Sequence, residues 1–169
     1  MRPSALPLTL SLLFLACSGG GGSSSSPTTG GGGTTPTTCP LPSPITAPTF
    51  NTHILPALQS SCGSAATSCH GNAFGPPPAG KIRYDTSSGR TATNVYDDLI
   101  NVAPSSAPGG AGWALVKPGD TAKSWLIEKV TSDSPGGGGF GTRMPQAAPN
   151  LCTASVDNLK AWIQAGALF

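Results

Sequence analysis

The chain has 169 residues, of which only 9% are charged, and a net charge of +2 at neutral pH. That balance, with no basic patch, argues against a nucleic-acid partner, and the length suits one small domain once low-complexity sequence is set aside. Glycine (23) and proline (18) are abundant, so few regular elements and long loops are expected.

Residues 1–16 read as a secretory signal. Met1-Arg2 supplies a positive start, and the apolar run from Leu6 to Ala16 is too short to cross a bilayer. The end of that run, Leu13-Phe14-Leu15-Ala16-Cys17, resembles the lipobox of bacterial lipoproteins. The resemblance implies that Cys17 becomes a lipidated amino terminus, leaving the exported protein held on a membrane of the cell envelope. Residues 17–44 are expected to form a tether rich in Gly, Ser, Thr and Pro. From Ser18 to about Thr38 there is no large apolar side chain to offset the entropy of ordering. A flexible segment of about 21 residues has a typical reach on the order of 25 Å.

The five cysteines constrain the rest. With Cys17 assigned to the lipid, Cys39, Cys62, Cys69 and Cys152 remain, an even number in an exported chain. Four cysteines allow three all-disulfide pairings. If Cys62 and Cys69 serve a local feature, Cys39 and Cys152 are left to pair. That bridge closes a loop of about a hundred residues, for which chain-entropy models give roughly 4–5 kcal/mol.

Residues 45–169 form the expected domain, and its core is thin: 8 Leu, 6 Ile, 5 Val and 4 Phe among 125 residues. Such a core needs disulfides, a metal or a large apolar cofactor. Four helical segments are predicted. The first surrounds Phe50, Ile54, Leu55 and Leu58, with Pro56 marking a start or kink. The second covers Thr93 to Asn101, placing Val95, Tyr96, Leu99 and Ile100 inward. The third follows Asp120, a good N-cap, and carries Trp125, Leu126, Ile127 and Val130. The fourth runs from Ser155 to Ala165, with Val156, Leu159, Trp162 and Ile163 on one stripe and Gly166 as its stop. No strand alternation is convincing, so the fold class is mostly α, small and loop-heavy.

The chemistry-bearing stretch is Ser61 to Gly71, where Cys62 and Cys69 flank six residues and His70 follows the second cysteine. Cysteine next to histidine suits covalent haem attachment with the imidazole as iron ligand. Met144 lies in an irregular loop, Arg143-Met144-Pro145, where a thioether can serve as a second, soft ligand. A zinc site using Cys62, Cys69 and His70, and His53 in place of Met144, are alternative ligations. Lys81 and Arg83 are candidates to face haem propionates or simply solvent.

The chain resembles the small class I c-type cytochromes, and more closely the cytochrome-like domains of secreted and lipid-anchored bacterial proteins. The matching residues are Ile54-Leu55-Pro56-Ala57-Leu58, Ser68-Cys69-His70-Gly71, Val116-Lys117-Pro118-Gly119-Asp120 with Ser124-Trp125-Leu126, Arg143-Met144-Pro145 and Trp162-Ile163-Gln164-Ala165-Gly166-Ala167. The family's common attachment motif has two residues between its cysteines where this chain has six. The resemblance implies a cytochrome c-like helical fold, thioether bonds from Cys62 and Cys69 to haem c, and His70 and Met144 as axial iron ligands. It also implies an electron carrier, not an enzyme, that exchanges electrons with redox proteins of the cell envelope. The alternative is a haem-free module in which Cys62 and Cys69 form a disulfide and the domain has a binding or structural role.

Overall fold

The computed structural model describes residues 37–63, 70–71, 82–87, 89–105, 107, 112–146 and 149–169. The expected signal peptide, Cys17, Cys69, Lys81 and most of the expected tether lie outside the described residues. Among the described residues four α-helices follow one another: α1 (Leu55–Ser61), α2 (Ala92–Asp97), α3 (Trp125–Thr131) and α4 (Thr153–Gln164). Two short strands, β1 (Thr37–Thr38) and β2 (Asn150–Leu151), pair in parallel, Thr37 opposite Asn150 and Thr38 opposite Leu151. Among the described residues the architecture is helix-rich, as periodicity predicts, with the rest in loops, and strands of two residues are too short to show alternation.

Each predicted helix is present, and its limits have local causes. A π-helical turn, Phe50–Ile54, leads into α1, and Pro56 occupies the first turn of that helix. Proline has no N–H to donate back into the preceding turn, which fits the change of winding there. Helix α2 opens with a reciprocal cap: the Thr91 side chain accepts from the Asn94 N–H while the Asn94 side chain accepts from the Thr91 N–H. It ends sooner than predicted, because residues 99–102 pair with the 115–116 backbone: the Leu99 carbonyl accepts the Val116 N–H, the Asn101 N–H reaches the Val116 carbonyl, and the Val102 carbonyl accepts the Leu115 N–H. Asp120 caps as expected, its carboxylate accepting from the Lys123 N–H at 3.0 Å, but it caps a 3-10 turn, Thr121–Lys123, that precedes α3. Helix α4 ends at a Schellman turn: Gly166 has φ +96°, its N–H reaches the Ile163 carbonyl, and the Ala167 N–H reaches that of Trp162.

The core forms where the π turn meets α4. Phe50 and Trp162 are fully buried and stack at 5.7 Å, and Tyr96 meets Phe50 edge-on at 5.3 Å. Ile54, Leu58, Val95, Leu99, Val116 and Ile163 close the cluster. The carboxyl-terminal backbone is bound into it. The Trp162 indole donates to the Leu168 carbonyl, and the Tyr96 hydroxyl to that of Ala167, each at 2.8 Å.

Cys39 and Cys152 are joined by a disulfide across 113 residues of sequence. The folded unit reaches further back than a start at residue 45. Leu41 is buried, and Ser155 on α4 both accepts from its N–H (3.0 Å) and donates to its carbonyl (3.2 Å). Asn158, one turn on, accepts from the Ile45 N–H and donates to the Ser43 carbonyl, each at 2.9 Å. The disulfide, the β1–β2 pair and two polar positions of α4 bind 37–45 to the domain.

Candidate functional site

Beside this core lies a cavity of about 410 Å³, within the usual range for small-molecule and cofactor sites. One wall comes from the end of α1 and the chain that returns past it: Cys62, His70, Ile82 and Tyr84. Trp125, Leu126, Lys129 and Val130 of α3 form another, with Leu99 and Leu115 beneath the site's apolar lining. The loop after α3 completes it with Phe140, Thr142 and Met144. Aromatic and aliphatic side chains make up most of the lining, beside the polar groups of His70, Ser105, Lys129, Thr142 and Gln146.

The backbone explains how His70 reaches the site. Its N–H donates to the Cys62 carbonyl at 3.1 Å, and its own carbonyl accepts from the Tyr84 N–H at 2.7 Å. Cys62 and His70, eight positions apart in the sequence, thus meet through their backbones. The added length does not carry His70 away from Cys62. Gly71 permits the approach, since a Cβ there would collide with the Gly63 carbonyl. On the other side, the Gln59 amide donates to the Tyr84 carbonyl at 2.8 Å and fixes the 82–84 segment against α1.

His70 is chemically committed as well. Its Nδ1 lies 2.8 Å from the Ile82 carbonyl, an acceptor only, so Nδ1 carries the proton and Nε2 keeps its lone pair. Burial lowers the His70 pKa; the Ile82 hydrogen bond opposes that shift, and the charge of Lys129 adds to it. A neutral imidazole with one nitrogen tied to a carbonyl is the form that binds metals.

Met144 lines the same cavity, half-buried, with its N–H donated to the Lys129 carbonyl at 2.7 Å. His70 and Met144, which are 74 positions apart in the chain, therefore line one cavity. Cys62 is a free, buried thiol at the cavity wall; burial pushes its pKa up, with the neighbouring Ser61 hydroxyl acting in the opposite direction. Cys69, the other expected attachment point, lies outside the described residues. His53 is placed elsewhere: its Nδ1 accepts from the Thr49 N–H at the helix start. Arg83 is paired with Asp85 at 3.0 Å. Among the described residues, no three His, Cys, Asp or Glu side chains converge as a metal-binding group.

Tyr84, Ile82 and Lys129 are cavity residues that sequence reasoning missed. The first two follow no helical period and carry no local signal. Lys129 had one: it lies four residues after Trp125 and three after Leu126, a lysine on an otherwise apolar stripe. No family model, no curated protein and no solved structure matches this chain.

Proposed function

We propose that the domain is a c-type cytochrome-like electron carrier that holds one haem in this cavity. The observation that carries the reading is the convergence of His70 and Met144 on one apolar cavity, with His70 Nδ1 bonded to the Ile82 carbonyl. The residues present fit the group. The lining is mainly apolar and aromatic, Nε2 of His70 is the available imidazole nitrogen, and Met144 supplies the thioether. Cys62 offers a thiol at the wall, and Cys69 precedes His70 in sequence.

In this reading His70 and Met144 are the iron ligands, and Cys62 with Cys69 supplies the covalent attachment. The haem supplies one-electron redox chemistry, and a His/Met pair raises its reduction potential. The chain contributes ligation, exclusion of water by the Trp125, Leu126 and Phe140 wall, and fixed ring orientation through Ile82. Bond-making catalysis has no place in this proposal. Its partners are redox proteins of the cell envelope. Among the described residues no helix is long and apolar enough to cross a membrane. Membrane attachment is proposed through a lipid on Cys17.

The test is the absorption spectrum of protein produced with haem-maturation machinery. A low-spin haem spectrum is expected, and Met144→Ala should remove the weak sulfur-to-iron band at the red end. A colourless product would end the electron-carrier reading and leave a disulfide-bonded helical module.

A further inference from the structure

The loop that carries Met144 is fastened to the end of α3, and its bonds converge on one residue. A helix leaves its last carbonyls without intrahelical partners. At the end of α3 the loop takes them up: the Lys129 carbonyl accepts the Met144 N–H at 2.7 Å, and the Val130 carbonyl accepts Arg143 Nε–H at 3.0 Å. Lys129 acts through its side chain too. Its ammonium donates to the Phe140 carbonyl at 3.2 Å and to the Thr142 carbonyl at 2.6 Å.

Residue 141, between those two carbonyls, is a glycine at φ +80°, where a Cβ would stand 3.3 Å from the ammonium nitrogen. Glycine therefore lets both carbonyls turn toward one cation. An ammonium has three donors and no acceptor, which matches a pair of carbonyls. Among the described ion pairs none includes Lys129. On the far side of the loop, Glu128 independently accepts the Gly136 N–H at 2.9 Å.

We propose that Lys129 is the positioning residue for Met144: its ammonium fixes the 140–142 turn so that the Met144 thioether stays in the cavity wall. The functional consequence rests on Met144 being an iron ligand. The restraint on the loop does not, so the two can fail separately.

Lys129→Met keeps the side-chain length and apolar stem but removes every donor, while Lys129→Arg keeps donors. In the full chain prepared without haem, amide hydrogen exchange at Met144 should be roughly tenfold faster or more in Lys129→Met, the factor for losing charge-assisted hydrogen bonds. Exchange at Trp162, inside α4, should not change, and Lys129→Arg should stay near wild type. In haem-loaded protein, Lys129→Leu, which adds no second thioether to the cavity wall, should also weaken the red sulfur-to-iron band and lower the reduction potential. Unchanged Met144 exchange in Lys129→Met overturns the proposal. Equal acceleration at Trp162 also overturns it, since that marks a general loss of stability. A protein that takes up no haem yet shows the selective acceleration would refute the electron-carrier reading and uphold the positioning role.

Discussion

Asn158→Ala tests whether the segment ahead of residue 45 belongs to the folded domain. Asn158 is 3% exposed and both ends of its amide are used, on the Ile45 N–H and the Ser43 carbonyl, each at 2.9 Å. A typical hydrogen bond contributes about 0.5–1.5 kcal/mol net, and an orphaned buried donor costs about 1–3 kcal/mol. The Ser43 side is exposed, so water can replace that bond, whereas the Ile45 N–H is half-buried. The expected loss is therefore about 2 kcal/mol. With a urea m-value of about 2 kcal/mol/M, the unfolding midpoint should fall by about 1 M at unchanged slope. The assay is equilibrium urea unfolding followed by tryptophan fluorescence, with the Cys39–Cys152 bridge intact. A midpoint within about 0.2 M of wild type, a loss of under about 0.5 kcal/mol, would refute the docking of residues 43–45 on α4.

Replacing both Cys39 and Cys152 by serine should destabilise the domain by about 4–5 kcal/mol, because the bridge spans 113 residues. Urea unfolding checks this, and a loss below about 1 kcal/mol would contradict the loop-closure argument. For His70 the folded-state pKa is depressed by burial, so the unfolded chain binds the extra proton first as pH falls. Stability of the haem-free protein should be full above about pH 6.5 and decline below it until the folded pKa is passed. His70→Gln should flatten that decline in urea midpoints taken at several pH values; an equal decline in the variant would assign it to other groups.

The parts of the fold that were legible in the sequence are those governed by a short repeat or a single special residue. The α4 stripe of Val156, Leu159, Trp162 and Ile163 is buried because apolar side chains three and four apart share a face. Asp120 and Gly166 mark turns through a side-chain acceptor and a positive φ, which depend on residue type alone. The pairing of Cys39 with Cys152 followed once Cys62 and Cys69 were treated as local.

What was not legible depends on tertiary contacts. Ser155 and Asn158 look like ordinary polar helix positions until residues 41–45 pack over them. Leu99 and Ile100 continue the helical period of α2, but pairing of the 99–102 backbone with 115–116 overrides it. At the candidate site, Cys62, His70 and Met144 were identifiable from residue type and neighbours. Ile82 serves through its backbone carbonyl, which no side-chain pattern encodes, and Lys129 was hidden because a lysine on a helix is ordinarily read as solvated.

The proposed haem site requires that His70 and Met144 hold one iron between them. Iron analysis and iron-edge X-ray absorption on protein made with haem-maturation machinery test it most directly. One iron per chain is expected, with a single sulfur scatterer beside nitrogen ligands, and loss of that sulfur in Met144→Ala. No bound iron, or an all-nitrogen ligand set in the unmodified protein, would contradict it.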